Sequence, residues 1–165
     1  MIVIARMNAD HVEGFHAVLD TVAREHRYLA FLQAPSLLQT ADFVLECTQN
    51  DDPQFVALDR QRVVGWCDIV RHKRPVHRHC GTLGIGLHPD YRGRGIGSRL
   101  ATRAIVEANN AGIDRIELTV FTTNTEAIRL YRKLGFKSEG RHPKAACIDG
   151  EYVSTMTMAL VSVAD

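Results

Sequence analysis

A chain of 165 residues, 45% hydrophobic and 24% charged, has the size and composition of one ordinary globular domain that can bury its own core. Its 20 Lys and Arg against 19 Asp and Glu leave a formal charge of +1, which excludes a general polyanion binder and confines any anion site to a local patch. No apolar run approaches the ~18 residues of a membrane span.

Met1–Arg6 reads as a short strand and lacks the basic segment, long apolar segment and small-residue cleavage site of a signal peptide. Residues 10–27 carry Val12, Phe15, Val18, Leu19 and Val22 near helical spacing, and Asp10 with Glu13 three residues later marks a helix start. Pro35 interrupts the apolar stretch 28–35, and a second helix runs from about Ser36 to Gln49. Asn50-Asp51-Asp52-Pro53 is a turn signal. Gln54–Asp59 and Arg62–Arg71, rich in Val with Phe55 and Trp66, read as strands joined by a tight connection. The basic segment Arg71–His79, with Pro75 in its middle, is expected as an exposed connection before a strand at Thr82–His88. Ile96–Ala111 reads as a helix ended by Gly112, and Ile116–Phe121 as a strand. Thr123–Leu134 reads as a helix opened by Thr123-x-x-Glu126 and closed by Gly135 in a left-handed conformation. Phe136–Gly140 and Tyr152–Leu160 complete the pattern, with Asp149-Gly150 as the turn into the last strand.

The order β-α-α-β-β-β-α-β-α-β-β predicts a single α/β domain over residues 1–165, one mixed sheet with helices on both faces. Cys47, Cys67, Cys80 and Cys147 form no CxxC pair and sit among apolar neighbours. All four are expected as buried free thiols in a reducing cytoplasm.

The chemistry concentrates in Gly81–Leu100, GTLGIGLHPDYRGRGIGSRL. A strand ends at His88-Pro89, a turn follows, and Gly93, Gly95 and Gly97 alternate at the mouth of a helix. A helix start leaves backbone N–H groups unpaired and carries partial positive charge, so it attracts anions. Glycine lets phosphate oxygens approach that backbone, and Arg92, Arg94 and Arg99 add side-chain donors. The spacing is neither GxGxxG nor GxxxxGK[ST], so the usual dinucleotide and nucleoside triphosphate loops are excluded. A phosphate site is expected; the alternative is a glycine-rich connection with a solvated basic face.

Arg92-x-x-Gly95-x-Gly97, preceded by His88-Pro89-Asp90-Tyr91, resembles the R/Q-x-x-G-x-G/A signature of GNAT acetyltransferases. Asn124, Ala127, Tyr131 and Leu134-Gly135-Phe136 resemble the same family's later N-x-x-A-x-x-x-Y-x-x-x-G-F pattern. The resemblance implies the GNAT fold, acetyl-coenzyme A as co-substrate, and strands 82–88 and 116–121 splaying apart to admit it. Ile85, Gly86 and Leu87 would pair with its pantetheine arm, the amide near Ile85 polarising the thioester carbonyl. Arg92, Gly93, Arg94, Gly95, Ile96, Gly97 and Ser98 would hold the pyrophosphate, and Asn124 the pantetheine amides. Gly84 and Gly86 suit a bulge and close backbone approach.

Direct attack by an amine needs no covalent enzyme intermediate. By the resemblance Tyr131 is the acid that protonates the departing thiolate. The strand glutamate of many relatives falls near Gly81 and Leu83, which cannot take a proton, so His79, acting directly or through water, is the expected catalytic base, with His77, Cys80, and bulk water or backbone carbonyls as alternatives. The acceptor side would be lined by Tyr28, Phe31 and Leu32 from the amino-terminal helices and by His142 and Tyr152 from the final hairpin. Those side chains favour a small, partly apolar amine, such as a free hydrophobic amino acid, over a polycation.

Rival readings are weighed against this. His72, His77, His79 and Cys80 are metal-type ligands, but Lys73, Arg74 and Arg78 surround them and no carboxylate is close by, so no metal is expected. Without interleaved aromatics the basic run is not expected to bind nucleic acid. An acyl-coenzyme A sensor without turnover, and transfer to a polyamine or protein amino terminus, are the alternative functions. An edge-strand homodimer, common among relatives, is a further expectation.

Overall fold

The computed structural model describes residues 1–162. In chain order it contains β1 (Ile2–Arg6), α1 (Val12–Ala23), α2 (Leu37–Gln49), β2 (Gln54–Asp59), β3 (Arg62–Arg71) and β4 (Cys80–Leu87). The second half adds α3 (Ile96–Asn110), β5 (Arg115–Phe121), α4 (Thr125–Lys133), β6 (Lys137–Ile148) and β7 (Glu151–Val161). This is the α/β element order expected from the sequence.

Boundaries differ where local capping chemistry decides them. Asn8, rather than Asp10, opens the first helical segment: its side chain caps a 3₁₀ turn at Ala9–His11, and α1 starts at Val12. A capping box between Ser36 and Gln39 starts α2. Asn124, rather than Thr123, caps α4 by accepting from the Ala127 N–H at 3.2 Å. Gly135 closes α4 with φ at +97°, the left-handed residue that its position calls for. Strand β6 runs to Ile148 instead of ending at Gly140, because its antiparallel pairing with β7 resumes beyond an irregularity between His142 and Ala146.

The seven strands form one sheet in the order β1-β2-β3-β4-β5-β7-β6. Every neighbouring pair is antiparallel except β4 and β5. Two apolar cores cover the two faces, because consecutive strand residues point to opposite sides. One joins Cys67, Ile69 and Leu83 to Leu100, Ala101 and Ala104 of α3 and to Ile128 and Tyr131 of α4. The other joins Val56 and Trp66 to Phe15, Val18 and Val22 of α1 and to Val44 of α2. Cys47, Cys67 and Cys80 are buried free thiols as expected, whereas Cys147 is exposed because it lies on the edge strand β6. Among the described residues no helix is long and apolar enough to cross a membrane.

The parallel pair determines where a ligand can enter. β4 and β5 are in register only over Cys80–Thr82 and Arg115–Glu117. Beyond Thr82, β4 keeps its β3 partners through Leu87 while β5 keeps its β7 partners through Phe121. The sheet therefore splits into a wedge, its apex at the Thr82 and Glu117 pair and its mouth toward the start of α3.

Candidate active site

A cleft of about 520 Å³ fills this wedge. Its walls include Leu83–Leu87, Gly93, Gly95, Gly97 and Ser98 on the β4–α3 side. Thr119 and Val120 of β5 and Asn124, Ala127 and Tyr131 of the α4 segment stand opposite, with Val22, Tyr28 and Leu29 over one end. The structure thus gathers most of the residues singled out by the two sequence motifs.

At the mouth, Gly93 and Gly95 have φ of +71° and +74°, and a Cβ on either would meet nothing within 4 Å. Glycine is required there for the left-handed turn, and the open space in front of the backbone leaves its N–H groups accessible. Gly95 occupies the N-cap position of α3, so the first-turn N–H groups of Ile96, Gly97 and Ser98 lie at the positive end of the helix. Such a cradle fits a diphosphate, with no Cβ to bar its approach.

Arg92 behaves differently from the expected free donor. Its Nε and one terminal nitrogen donate to the Leu87 carbonyl at 3.1 and 3.0 Å, and the guanidinium pairs with Glu25 at 2.9 Å while lying 4.8 Å from the Tyr28 ring centroid. This clamp ties the segment after α1 to the end of β4, and so sets the width of the mouth. Arg94 stacks on Tyr91 at 5.4 Å, and Arg99 donates to the Ile2 carbonyl at 3.0 Å. The cations that sequence reasoning missed are Arg129 and Lys133, one helical turn apart on the α4 wall of the cleft. Their i,i+4 spacing was legible, but not which face of α4 the cleft would meet.

The far end of the cleft carries a buried tyrosine. Tyr131 is only 7% exposed, packs at 5.7 Å against the Phe136 ring, and burial raises its phenol above the ordinary range. A phenol held neutral in this way keeps a proton to donate.

Gly84 and Gly86 make no bulge: β3 and β4 pair residue for residue from Gly65 and Leu87 to Arg71 and Gly81. They make room instead for their cross-strand partners. A Cβ on Gly86 would lie 2.1 Å from the Trp66 ring, and one on Gly84 would lie 3.1 Å from Oδ1 of Asp68. Asp68 is the residue sequence reasoning did not single out, although one acid inside the apolar run Val63–Val70 was a visible anomaly. Burial pushes its carboxyl up to about 7, with the Asp52 carboxylate adding to the rise.

Several expected site residues lie elsewhere. His79 is exposed before β4, outside the cleft walls, and its carbonyl accepts from the N–H groups of Asp114 and Arg115. Phe31, Leu32, His142 and Tyr152 are exposed and do not line the cleft, although Tyr28 does. The ends of the two acceptor-side segments do meet, through an Nδ1 of His26 that stands 2.8 Å from Asp149 in the β6–β7 turn. A carboxylate does lie near the hairpin histidines, contrary to expectation. The parallel pairing brings Glu117 beside Thr82, so that ligand atoms of His72, Cys80 and Glu117 fall within 4.8 Å of one another. Arg115 stands 3.5 Å from Glu117 and also pairs with Glu139.

Comparison with known proteins agrees with this geometry. Residues 15–136 match the model of the acetyltransferase (GNAT) family. The chain is 35% identical over 151 residues to the L-amino acid N-acetyltransferase AaaT of Escherichia coli strain K12, covering 89% of this chain and 91% of that enzyme. Among solved structures, the acetyltransferase of GNAT family from Streptococcus pneumoniae superposes with a TM-score of 0.91 at 26% identity, over 98% of this chain and 99% of that one. A GNAT superfamily phosphinothricin acetyltransferase from Sinorhizobium meliloti, in complex with AcCoA, has a TM-score of 0.92 at 21% identity, over 98% of this chain and 88% of that one.

Proposed function

The chain belongs to the acetyltransferase (GNAT) family, and from that premise we propose how its cleft performs the transfer. The protein is an acetyl-coenzyme A-dependent N-acetyltransferase that acts on the primary amine of a small molecule. In our reading the acceptor is a free amino acid with an apolar side chain.

The observation that carries this reading is the wedge between β4 and β5, open from the glycine cradle of α3 to Tyr131. Gly93–Ser98 would hold the pyrophosphate through backbone N–H groups, and the unpaired edge of β4 at Ile85–Leu87 would receive the pantetheine arm as an added strand. Asn124 spends its side-chain oxygen on capping α4 and retains its amide N–H donors for the arm. Arg129 and Lys133 add positive charge along the same wall. Bound there, the co-substrate supplies an activated acetyl thioester. Tyr131 holds a proton at its hydroxyl for the departing sulfur. Val22, Tyr28 and Leu29 form an apolar roof suited to an uncharged side chain. Likeness to an L-amino acid N-acetyltransferase over most of both chains supports the same acceptor class.

The test is release of free thiol from acetyl-coenzyme A with a panel of amino acids, polyamines and peptide amino termini. Leucine- or methionine-like acceptors should give the highest kcat/KM. Preference for spermidine or a protein terminus would overturn the acceptor assignment, and binding without turnover on any amine would favour the sensor reading. Three buried free thiols support a reducing cytoplasm. A homodimer through an edge strand belongs to the same reading: β6 is an exposed edge, and sedimentation of the purified protein tests it.

A further inference from the structure

We infer that Asp68, whose carboxyl stands against Gly84 of the cleft wall, is the general base that takes the proton from the acceptor amine. This rests on the acetyltransferase reading above and replaces His79 in the role. It begins from the pleat of β3. Cys67 belongs to the core shared with Tyr131, so the next residue, Asp68, points to the opposite face with Trp66. The acid and the base therefore flank the sheet opening from its two sides. On the Asp68 side the cross-strand partner is Gly84, which lines the cleft two residues past the last β4–β5 pair. Because Gly84 has no side chain, nothing of β4 but backbone separates Oδ1 from that part of the cleft. A larger residue at position 84 would put carbon 3.1 Å from that oxygen.

A second observation marks the same row as a place for a polar occupant. Gln54 of β2 stands directly opposite Asp68 and is 3% exposed, yet its Nε2 and Oε1 are buried without a hydrogen-bond partner. Buried amides are normally paired, and an unpaired one calls for a bound molecule or ordered water. Gln54–Asp68–Gly84 is a polar row short of partners that ends at Gly84 in the cleft wall.

The step balances simply. As the amine nitrogen bonds to the acetyl carbon and the carbon–sulfur bond breaks, one amine proton passes to the Asp68 carboxylate and the sulfur takes the Tyr131 phenolic proton. Solvent then restores both groups. The titratable groups around Asp68 are Asp52 before β2, which adds negative charge, Cys47 of α2, and Cys67 in its own strand; β4 contributes none at Gly84. Burial and Asp52 hold the Asp68 carboxyl near 7, so at neutral pH it is poised between giving and taking a proton.

The test combines Asp68→Asn with a titration that needs no turnover. Carbon-13 NMR of the apo protein, labelled at its Asp carboxyl carbons, should show a carboxyl with a midpoint near 7 that vanishes in Asp68→Asn and survives in Asp52→Asn. Acetyl-coenzyme A affinity should stay within about threefold, while kcat falls on the order of a hundredfold or more and loses its rise with pH on the acid side. Unchanged kcat and pH profile in Asp68→Asn, with the wild type active, overturns the base assignment alone. So does a wild-type titration in which every Asp carboxyl has ionised below pH 5. Failure of the wild type to bind acetyl-coenzyme A or to turn over any amine would instead strike the functional reading beneath it.

Discussion

At the mouth of α3 the cleft is walled by backbone: Gly93 and Gly95 stand open to solvent with left-handed φ, and the donors are N–H groups of a helix start. At the other end Tyr131 of α4 lines it, and Asp68 of β3 and Gln54 of β2 stand in the row behind its Gly84 wall, each of the three less than a tenth exposed. The two ends divide the work by dielectric. Backbone donors keep their geometry and charge whatever the pH, so an exposed cradle serves to bind. Proton transfer needs groups whose affinity for a proton has been moved, and here burial is the main cause, raising both Tyr131 and Asp68. Arg92 belongs to the mouth, where one guanidinium holds both the Leu87 carbonyl and Glu25.

The sharpest way to break this contrast is at the cradle. Gly95→Val places a β-branched residue at φ of +74° in front of the diphosphate position. Calorimetric titration should show acetyl-coenzyme A affinity falling by about a thousandfold, roughly 4 kcal/mol, with the circular dichroism spectrum retained. Affinity within tenfold of wild type would show that the cradle is not the anion site.

Tyr131→Phe probes the opposite end and should do the reverse. Loss of the hydroxyl leaves the Phe136 packing in place, so co-substrate affinity should hold while kcat drops about a hundredfold. A variant that keeps full kcat would remove Tyr131 as the acid.

The third effect is on stability and follows from burial of Asp68. Its folded carboxyl titrates near 7 against an ordinary 3.8, so the fold favours the protonated form. The associated stability is present below the unfolded value and is lost as pH rises through 7. Denaturant midpoints of wild type and Asp68→Asn should therefore diverge with rising pH, the wild type losing about 2 kcal/mol relative to the variant between roughly pH 5 and 7.5. Parallel pH dependences would mean that Asp68 is not desolvated. The smallest effect belongs at the junction of the two ends, where Asn124 caps α4: Asn124→Ala should cost about 1 kcal/mol in urea unfolding.

How much of this molecule could be read from its sequence depends on the range of the interactions involved. The element order was legible because strand alternation, helical spacing and turn residues act over a few neighbouring positions. So was the cradle, since Gly93, Gly95 and Gly97 follow a strand and open a helix within one contiguous segment. Boundaries shifted by a residue or two wherever a choice between neighbouring caps decided them, as at Asn8 and Asn124. What only the tertiary structure decided is the reacting end. Asp68 meets Gly84 through the β3–β4 register, Tyr131 meets the same cleft because α4 crosses the sheet there, and Arg92 turns inward because Glu25 waits for it. The same assembly left His79, His142 and Tyr152 outside the cleft, although their chemistry suited it. Local sequence specifies conformation and the donors a backbone offers. Proton affinity and proximity arise when distant segments bury one another, and no short stretch of this chain contains that information.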